Sequence, residues 1–313
     1  MSARPAANAA IAALLALSLA APAPAQRMMP RPGASRNIAA ACAGVDPSSE
    51  KSWSTPAPPA HVFGNTWYVG TCGITTLLVE TSAGLVLLDG GVPEAAPMVI
   101  ANIRKLGFNP AEVRWILVSH EHWDHAGALA ALQKATGAQV IAGPHQMNAL
   151  ISGRAASDDP QLPFFKGHDM LPVKVAHSVP DGGRKTIGTT SFTAFATPAH
   201  SPGSTSWLWR ECEGGICRNV AYADSVSTPA PDAYRFSDHA ARSADARRGF
   251  QKMAAMSCDL VMTPHPSASD LFERLSGARP LAQPGACRAY AQGGARRFED
   301  RLAKEAAPVK PAK

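Results

Sequence analysis

The run His120-Glu121-His122-Trp123-Asp124-His125 constrains this chain more than any other stretch. On an extended or sharply turning backbone, imidazoles at i and i+2 reach one ion, so His120 and His122 can share it. Asp124 and His125 follow at once and can serve a second ion a few ångströms away. Imidazole nitrogen with one carboxylate oxygen is a donor set that suits zinc. A solvated polar turn has the same local appearance, and the pattern downstream decides against it.

From His61 onward, strand-like and helix-like segments alternate. Short β-branched or aromatic runs bounded by Gly, Pro, Asn or Asp predict strands over 66–69, 75–79, 85–88, 113–118, 139–142, 191–196, 205–209, 219–223 and 260–263. Helices are predicted over 93–106, 127–136, 243–256 and 287–304. In the first of these, Ala96, Ile100, Ile103 and Leu106 fall on one face, and Gly107 and Pro110 stop it. The stretch 148–181 reads as a long loop, a length that is usually functional or disordered. Five strands run apolar and then deliver a ligand-type residue: Asp89, His120, His200, Asp224-Ser225 and His265. Ligand sites of α/β proteins gather at the C-terminal ends of strands.

A dinuclear site needs about three protein ligands per zinc, with room left for water or substrate. His120, His122 and His200 would make the first site, and Asp124, His125 and His265 the second. Two zinc ions turn a shared water into a hydroxide nucleophile at neutral pH, which makes hydrolysis the expected chemistry. Asp124 could also orient that water. His61, His145, His168, His177 and His239 fall outside the strand-end clusters and read as ordinary histidines.

The N-terminus reads as an export leader. Arg4 precedes an Ala/Leu-rich stretch over 9–21, and Ala23-Pro24-Ala25 is a small-x-small cleavage site. Cleavage after Ala25 leaves an arm over 26–60 and one domain over 61–313, periplasmic or secreted, with no membrane span. The net charge of +6, scattered rather than clustered, argues against a nucleic-acid partner. Six cysteines, an even number, agree with export, and sequence alone allows 15 pairings of six. Cys212 and Cys217 flank a Gly214-Gly215 turn between two strand-like runs, so they should face each other and pair. Cys42–Cys72 and Cys258–Cys287 then follow by elimination and proximity.

Three motifs together resemble the metallo-β-lactamase superfamily: His120-x-His122-x-Asp124-His125, the stretch Thr197-Pro198-Ala199-His200-Ser201-Pro202-Gly203-Ser204, and Thr263-Pro264-His265-Pro266. The finer likeness is to its subclass B3. Gly64-Asn65-Thr66-Trp67-Tyr68-Val69-Gly70-Thr71-Cys72-Gly73 resembles that subclass's first strands, and Tyr222-Ala223-Asp224-Ser225-Val226-Ser227 its serine-bearing segment. The resemblance implies an α/β fold of four layers, an αβ/βα sandwich, with two zinc ions in a groove at one edge. It implies opening of the β-lactam ring of penicillins, cephalosporins and carbapenems, with the six metal ligands carried over as assigned. Ser225 and Ser227 would hold the substrate carboxylate. Asp89 would steady a ligand, and Trp53, Gln161, Phe164 and Phe165 would wall the groove, Gln161 in contact with substrate. The cysteine arrangement resembles members with three disulfides, and a monomer is expected. One departure is Ala199, where the family most often has Gly; a methyl group there is tolerated if φ stays negative.

The rival of the same fold is a glyoxalase II-like thioesterase or a lactonase. It would gain if Asp224, rather than Ser225, faced the metals. A non-enzymatic zinc-binding module would be favoured by a missing ligand, and all six are present.

Overall fold

A computed structural model of the protein describes residue 31, residues 33–35 and residues 37–306. The leader expected over 1–25 lies outside the described residues. Two short helices come first, α1 (Ile38–Ala41) and α2 (Glu50–Trp53), each opened by a polar cap from Asn37 and Ser49. Strands β1 (Ala60–Phe63), β2 (Thr66–Tyr68), β3 (Leu77–Thr81) and β4 (Gly84–Leu88) form an antiparallel meander. It continues through the parallel strands β5 (Val113–Leu117), β6 (Gln139–Ala142) and β7 (Val175–Ser178) into one seven-stranded sheet in chain order. The crossovers carry α3 (Ala96–Lys105), α4 (Trp123–Ala126), α5 (Leu129–Thr136) and α6 (Met147–Ser152).

The second half builds a five-stranded sheet ordered β12-β11-β10-β9-β8. Its strands are β8 (Arg184–Ile187), β9 (Thr190–Ala196), β10 (Thr205–Glu213), β11 (Ile216–Tyr222) and β12 (Leu260–Met262), of which β11 and β12 pair in parallel across α7 (Ala240–Ala255). Helices α8 (Leu271–Leu275) and α9 (Ala286–Ala306) complete it.

Alternation along the strands produces three apolar layers. In β4, Val86 and Leu88 face the second sheet and meet Trp207, Val220 and Tyr222, while Leu85 and Leu87 face α3 and α5 and meet Val99, Ile103, Leu129 and Leu132. In β11, Val220 and Tyr222 point inward, and Ala221 packs outward against Phe250 and Met253 of α7 and Phe298 of α9. Because successive side chains point to opposite faces, apolar runs such as 85–88 serve two cores at once. The layers are therefore helix, sheet, sheet, helix, the α/β sandwich expected.

All nine predicted strands form, with ends shifted by a few residues, and so do the four helices. Three strands escaped the sequence pattern: β1, β7 and β8. The last two lie at sheet edges, carry exposed or half-exposed residues such as His177, Ser178, Arg184 and Lys185, and so lack the alternation that marks a half-buried strand. The stretch 148–181 is correspondingly not a bare loop, since it holds most of α6 and all of β7. Gly153 ends α6 in the left-handed region at φ +72°. On α3, Val99 and Asn102 join Ala96 and Ile103 in the buried face, and Ile100 stands at its margin. Asn102 is tolerated there because its Nδ2 donates to the carbonyls of Ala57 and Val69, at 3.0 and 3.1 Å, tying the segment before β1 to the sheet.

The three disulfides are Cys42–Cys72, Cys212–Cys217 and Cys258–Cys287. Cys212 and Cys217 stand directly opposite in the β10–β11 ladder. Closing spans of 30 and 29 residues removes more chain entropy than closing 5. Serine replacement of the pair 42/72 or 258/287 should therefore cost about 3–4 kcal/mol, against about 2 kcal/mol for 212/217, read by denaturant unfolding.

Glu211 of β10 is buried, and its carboxylate accepts from Asn65 N at 3.2 Å and Thr66 Oγ1 at 3.4 Å. Burial nevertheless pushes its pKa from 4.5 up to about 7. The folded protein thus holds this proton more tightly than the unfolded chain, so its stability falls as pH rises from about 4.5 through about 7. Glu211→Gln should flatten that slope and raise Tm at pH 8, measured by thermal melts across the range.

Candidate metal centre

The strand ends meet at one edge of the sandwich. His120 and His122 follow β5, His125 lies in α4, His200 follows β9, and His265 follows β12. The N–H groups of Gly90 and Gly91, just past β4, both donate to the His125 carbonyl at 3.0 Å and so fix the turn that carries Asp124 and His125.

Each histidine of the first group has one ring nitrogen held from behind. His120 Nδ1 lies 2.8 Å from Asp224 Oδ1, His122 Nε2 lies 2.7 Å from Asp159 Oδ2, and His200 Nδ1 lies 2.9 Å from the Ser227 carbonyl. That leaves His120 Nε2, His122 Nδ1 and His200 Nε2 for a common point. The three side chains present ligand atoms within 4.8 Å of one another, and His120 Nε2 is buried with no partner. Burial, together with the neighbouring imidazoles, keeps His120 and His200 well below the usual histidine range, so both are neutral with a lone pair free. Burial also works against charge on His122, but the Asp159 carboxylate outweighs it and raises that ring's pKa.

The second group converges on Asp124. Its Oδ2 lies 3.0 Å from His125 Nε2 and 3.2 Å from His265 Nε2. Burial pushes the carboxyl up, but the two imidazoles prevail and hold it well below the usual carboxylate range. The His265 Nδ1 nitrogen is occupied by the Gly73 carbonyl at 3.2 Å. Both ring nitrogens of His125 are buried without a properly aimed hydrogen bond, although Asp124 is close. Donors that crowd together yet fail to pair with each other are arranged for a cation between them. A three-nitrogen set beside a two-nitrogen, one-carboxylate set fits zinc.

The family model of the metallo-beta-lactamase superfamily matches residues 69–213. Among solved structures, the metallo-β-lactamase MIM-1 from Novosphingobium pentaromativorans is 52% identical, with 88% of this chain and 100% of that one covered at a TM-score of 0.85. BJP-1, a subclass B3 metallo-β-lactamase of Bradyrhizobium japonicum, is 34% identical, with 83% and 99% covered at a TM-score of 0.75. This chain belongs to the metallo-β-lactamase family. Within it, the likeness is to subclass B3. Curated relatives are more distant. An uncharacterized protein, YobT, of Bacillus subtilis (strain 168) is 29% identical over 145 residues, which are 46% of this chain and 60% of that protein. A hydroxyacylglutathione hydrolase of Anaeromyxobacter dehalogenans is 29% identical over 136 residues, 43% of this chain and 41% of its own length. The chain spans about half the length of the curated relatives it matches.

In this chain the residues expected to wall the groove are distributed unevenly. Trp53 stands with its ring centroid 6.0 Å from that of His265, and Phe165 stands 4.6 Å from His122. Phe164 points outward and is 50% exposed. Ser225 is buried and Ser227 exposed, with Ser227 Oγ 3.2 Å from His200 Nδ1. The Gln161 amide is buried and donates its Nε2 to the His200 carbonyl at 3.1 Å. Ala199 keeps a negative φ, as its methyl group requires, and its carbonyl accepts from buried Arg242 at 2.8 Å.

Several positioning residues were not legible in the sequence. Glu121 points away from the metal-facing nitrogens, yet it is a buried hub rather than a solvated or merely packed side chain. It accepts from Ser201 Oγ and Gly203 N, both at 3.2 Å, and so ties the His120–His122 turn to the His200 turn. Gly203 leaves room for that carboxylate, since a Cβ there would lie 2.3 Å from Glu121 Oε2 and force it to shift. Gln146 donates to the carbonyls of Ser119 and Gly203, bridging the same two turns. Asp159 lies in a stretch with no periodic or motif signal. The Cys42–Cys72 bridge also proves to be near a ligand, since Cys72 adjoins Gly73, whose carbonyl holds His265.

Asp89 adopts a left-handed φ of +60° and is fully buried. It accepts from Ser119 N at 2.7 Å, Ser119 Oγ at 2.6 Å and Tyr222 OH at 2.8 Å, and its Oδ2 lies 3.8 Å from His125 Nδ1. Asp89→Ala strands these buried donors and should cost about 3 kcal/mol or more. Equilibrium unfolding of the chelated protein checks this without interference from bound metal.

Proposed function

We propose that this protein is a zinc-dependent β-lactamase that opens the amide bond of penicillins, cephalosporins and carbapenems and so confers antibiotic resistance. The observation that carries the reading is the convergence of His120, His122, His200, Asp124 and His125, with His265 Nε2 3.2 Å from Asp124, in a chain 52% identical to a metallo-β-lactamase covered over its whole length. His120, His122 and His200 would hold one zinc, and Asp124, His125 and His265 a second. When bound, zinc lowers the pKa of water towards neutrality and polarises a carbonyl as a Lewis acid.

The chain supplies the rest. Asp124, kept ionised by its two imidazole neighbours, accepts a hydrogen bond from the attacking water at Oδ1 and aligns it with the β-lactam carbonyl. The hydroxyls of Ser225 and Ser227 donate to the substrate carboxylate. Trp53 and Phe165, beside the His265 and His122 rings, wall the groove in which the substrate lies. Gln161 contacts substrate through Oε1, its Nε2 being engaged by His200.

The enzyme acts as a monomer in the periplasm, after export and cleavage behind Ala25, with the catalytic domain over 61–313 following the arm 26–60. No helix among the described residues is long and apolar enough to cross a membrane. Against a thioesterase or lactonase stands the likeness itself, 52% identity over the whole of a metallo-β-lactamase against 29% over 41% of a hydroxyacylglutathione hydrolase. Asp224 Oδ1 is also spent on the rear nitrogen of His120.

Purified protein lacking residues 1–25 should hydrolyse a carbapenem, lose that activity to a chelator and regain it on zinc readdition. Asp124→Ala should stay folded, bind about one zinc fewer and lose about 10²-fold or more in kcat. Full activity in that variant would refute its role. Absence of β-lactam turnover with two zinc ions bound would move the substrate to a thioester or lactone.

A further inference from the structure

Asp159 and Gln161 are two residues apart in the loop between α6 and β7, and each grips a different histidine of the first group. Asp159 Oδ2 lies 2.7 Å from His122 Nε2, and Gln161 Nε2 donates to the His200 carbonyl at 3.1 Å. The two are locked together, since Gln161 N donates to Asp159 Oδ1 at 2.8 Å. His122 belongs to the first sheet's half of the molecule and His200 to the second's, so one short segment spans the seam. Between Arg154 and Lys166 this loop buries only Asp159, Pro160 and Gln161, while Ser157, Asp158, Leu162, Pro163 and Phe164 are exposed. Apolar packing therefore contributes little to holding it, and its anchorage is polar.

We propose that Asp159 and Gln161 form a latch that couples metal binding at the first site to the order of the groove-wall loop. The proposal rests on the zinc reading above. Asp159 is the positioning residue. A carboxylate accepting from His122 Nε2–H selects the tautomer that leaves the Nδ1 lone pair for the ion. In return, an ion that fixes His122 and His200 fixes the two points to which the loop is tied. By linkage, whatever loop order adds to zinc affinity, bound zinc returns to loop order. Phe165, 4.6 Å from the His122 ring, travels with the loop, so the groove wall is complete when the first site is filled.

The test uses the mature protein with zinc or with chelator, and reads tryptic cleavage after exposed Arg154 and Lys166 together with zinc affinity by chelator competition. Zinc should slow cleavage at these two sites about tenfold or more in the native sequence. Asp159→Ala should lose that protection and about 10–100-fold in first-site affinity, as loss of such a histidine partner typically does. Asp159→Asn, which keeps an acceptor oxygen, should retain most of both, a rescue that a merely space-filling role does not predict. Gln161→Ala should weaken the zinc-dependent protection even if Asp159→Ala fails to fold. Equal cleavage rates with and without zinc, in protein shown to bind zinc, would overturn the latch while leaving the β-lactamase reading intact. Failure of the native protein to bind zinc would overturn both.

Discussion

Four imidazoles buried within a few ångströms of one another, beside the Asp124 carboxylate, form the constraint on which the rest of this molecule depends. Left to itself, an apolar interior would penalise so many polar groups in one place. The chain meets that cost from behind the rings, except at His125, whose two nitrogens are buried without a hydrogen-bond partner. Carboxylates of Asp224 and Asp159 take the rear nitrogens of His120 and His122, and carbonyls of Ser227 and Gly73 take those of His200 and His265. His120 Nε2 is left unpaired on the opposite side of its ring, which is how a protein builds a cation site of fixed geometry before the cation arrives.

That arrangement explains the layout of the sandwich around it. Ligands come from both sheets, so the seam between the halves must be rigid. The buried hydrogen bonds of Glu121 and Gln146 cross it, joining the turn after β5 to the turn after β9, and Tyr222 OH reaches from the second sheet to Asp89 of the first. The apolar layer between the sheets, with Trp207 and Tyr222 among its largest side chains, supplies the bulk stabilisation. The polar bonds set register rather than adding much net stability, because each replaces a bond to water.

The same division separates what was legible in sequence from what was not. Strands with ligand residues at their ends stood out because period-two apolar runs are local, and a histidine at the end of such a run needs no partner to be noticed. The edge strands β7 and β8 carry no such pattern, since one side of each meets solvent. Glu121 stands between two ligands in the sequence with no local sign of a role, and only the approach of the Ser201–Gly203 turn makes it a hub. Asp159 offered no signal at all, being 37 residues from the histidine it serves.

The amino-acid sequence by itself determined the donor types, their spacing along the chain, the apolar alternation that builds two sheets, and the cysteines available for pairing. These are properties of neighbouring residues, and they specify chemistry wherever the chain goes. Tertiary structure alone decided which nitrogen of each histidine faces inward, which carboxylate stands behind it, and that Gln161 is tied to the His200 carbonyl. Those choices depend on contacts between segments far apart in the chain, and a hydrogen bond between such segments exists only once the two sheets have packed.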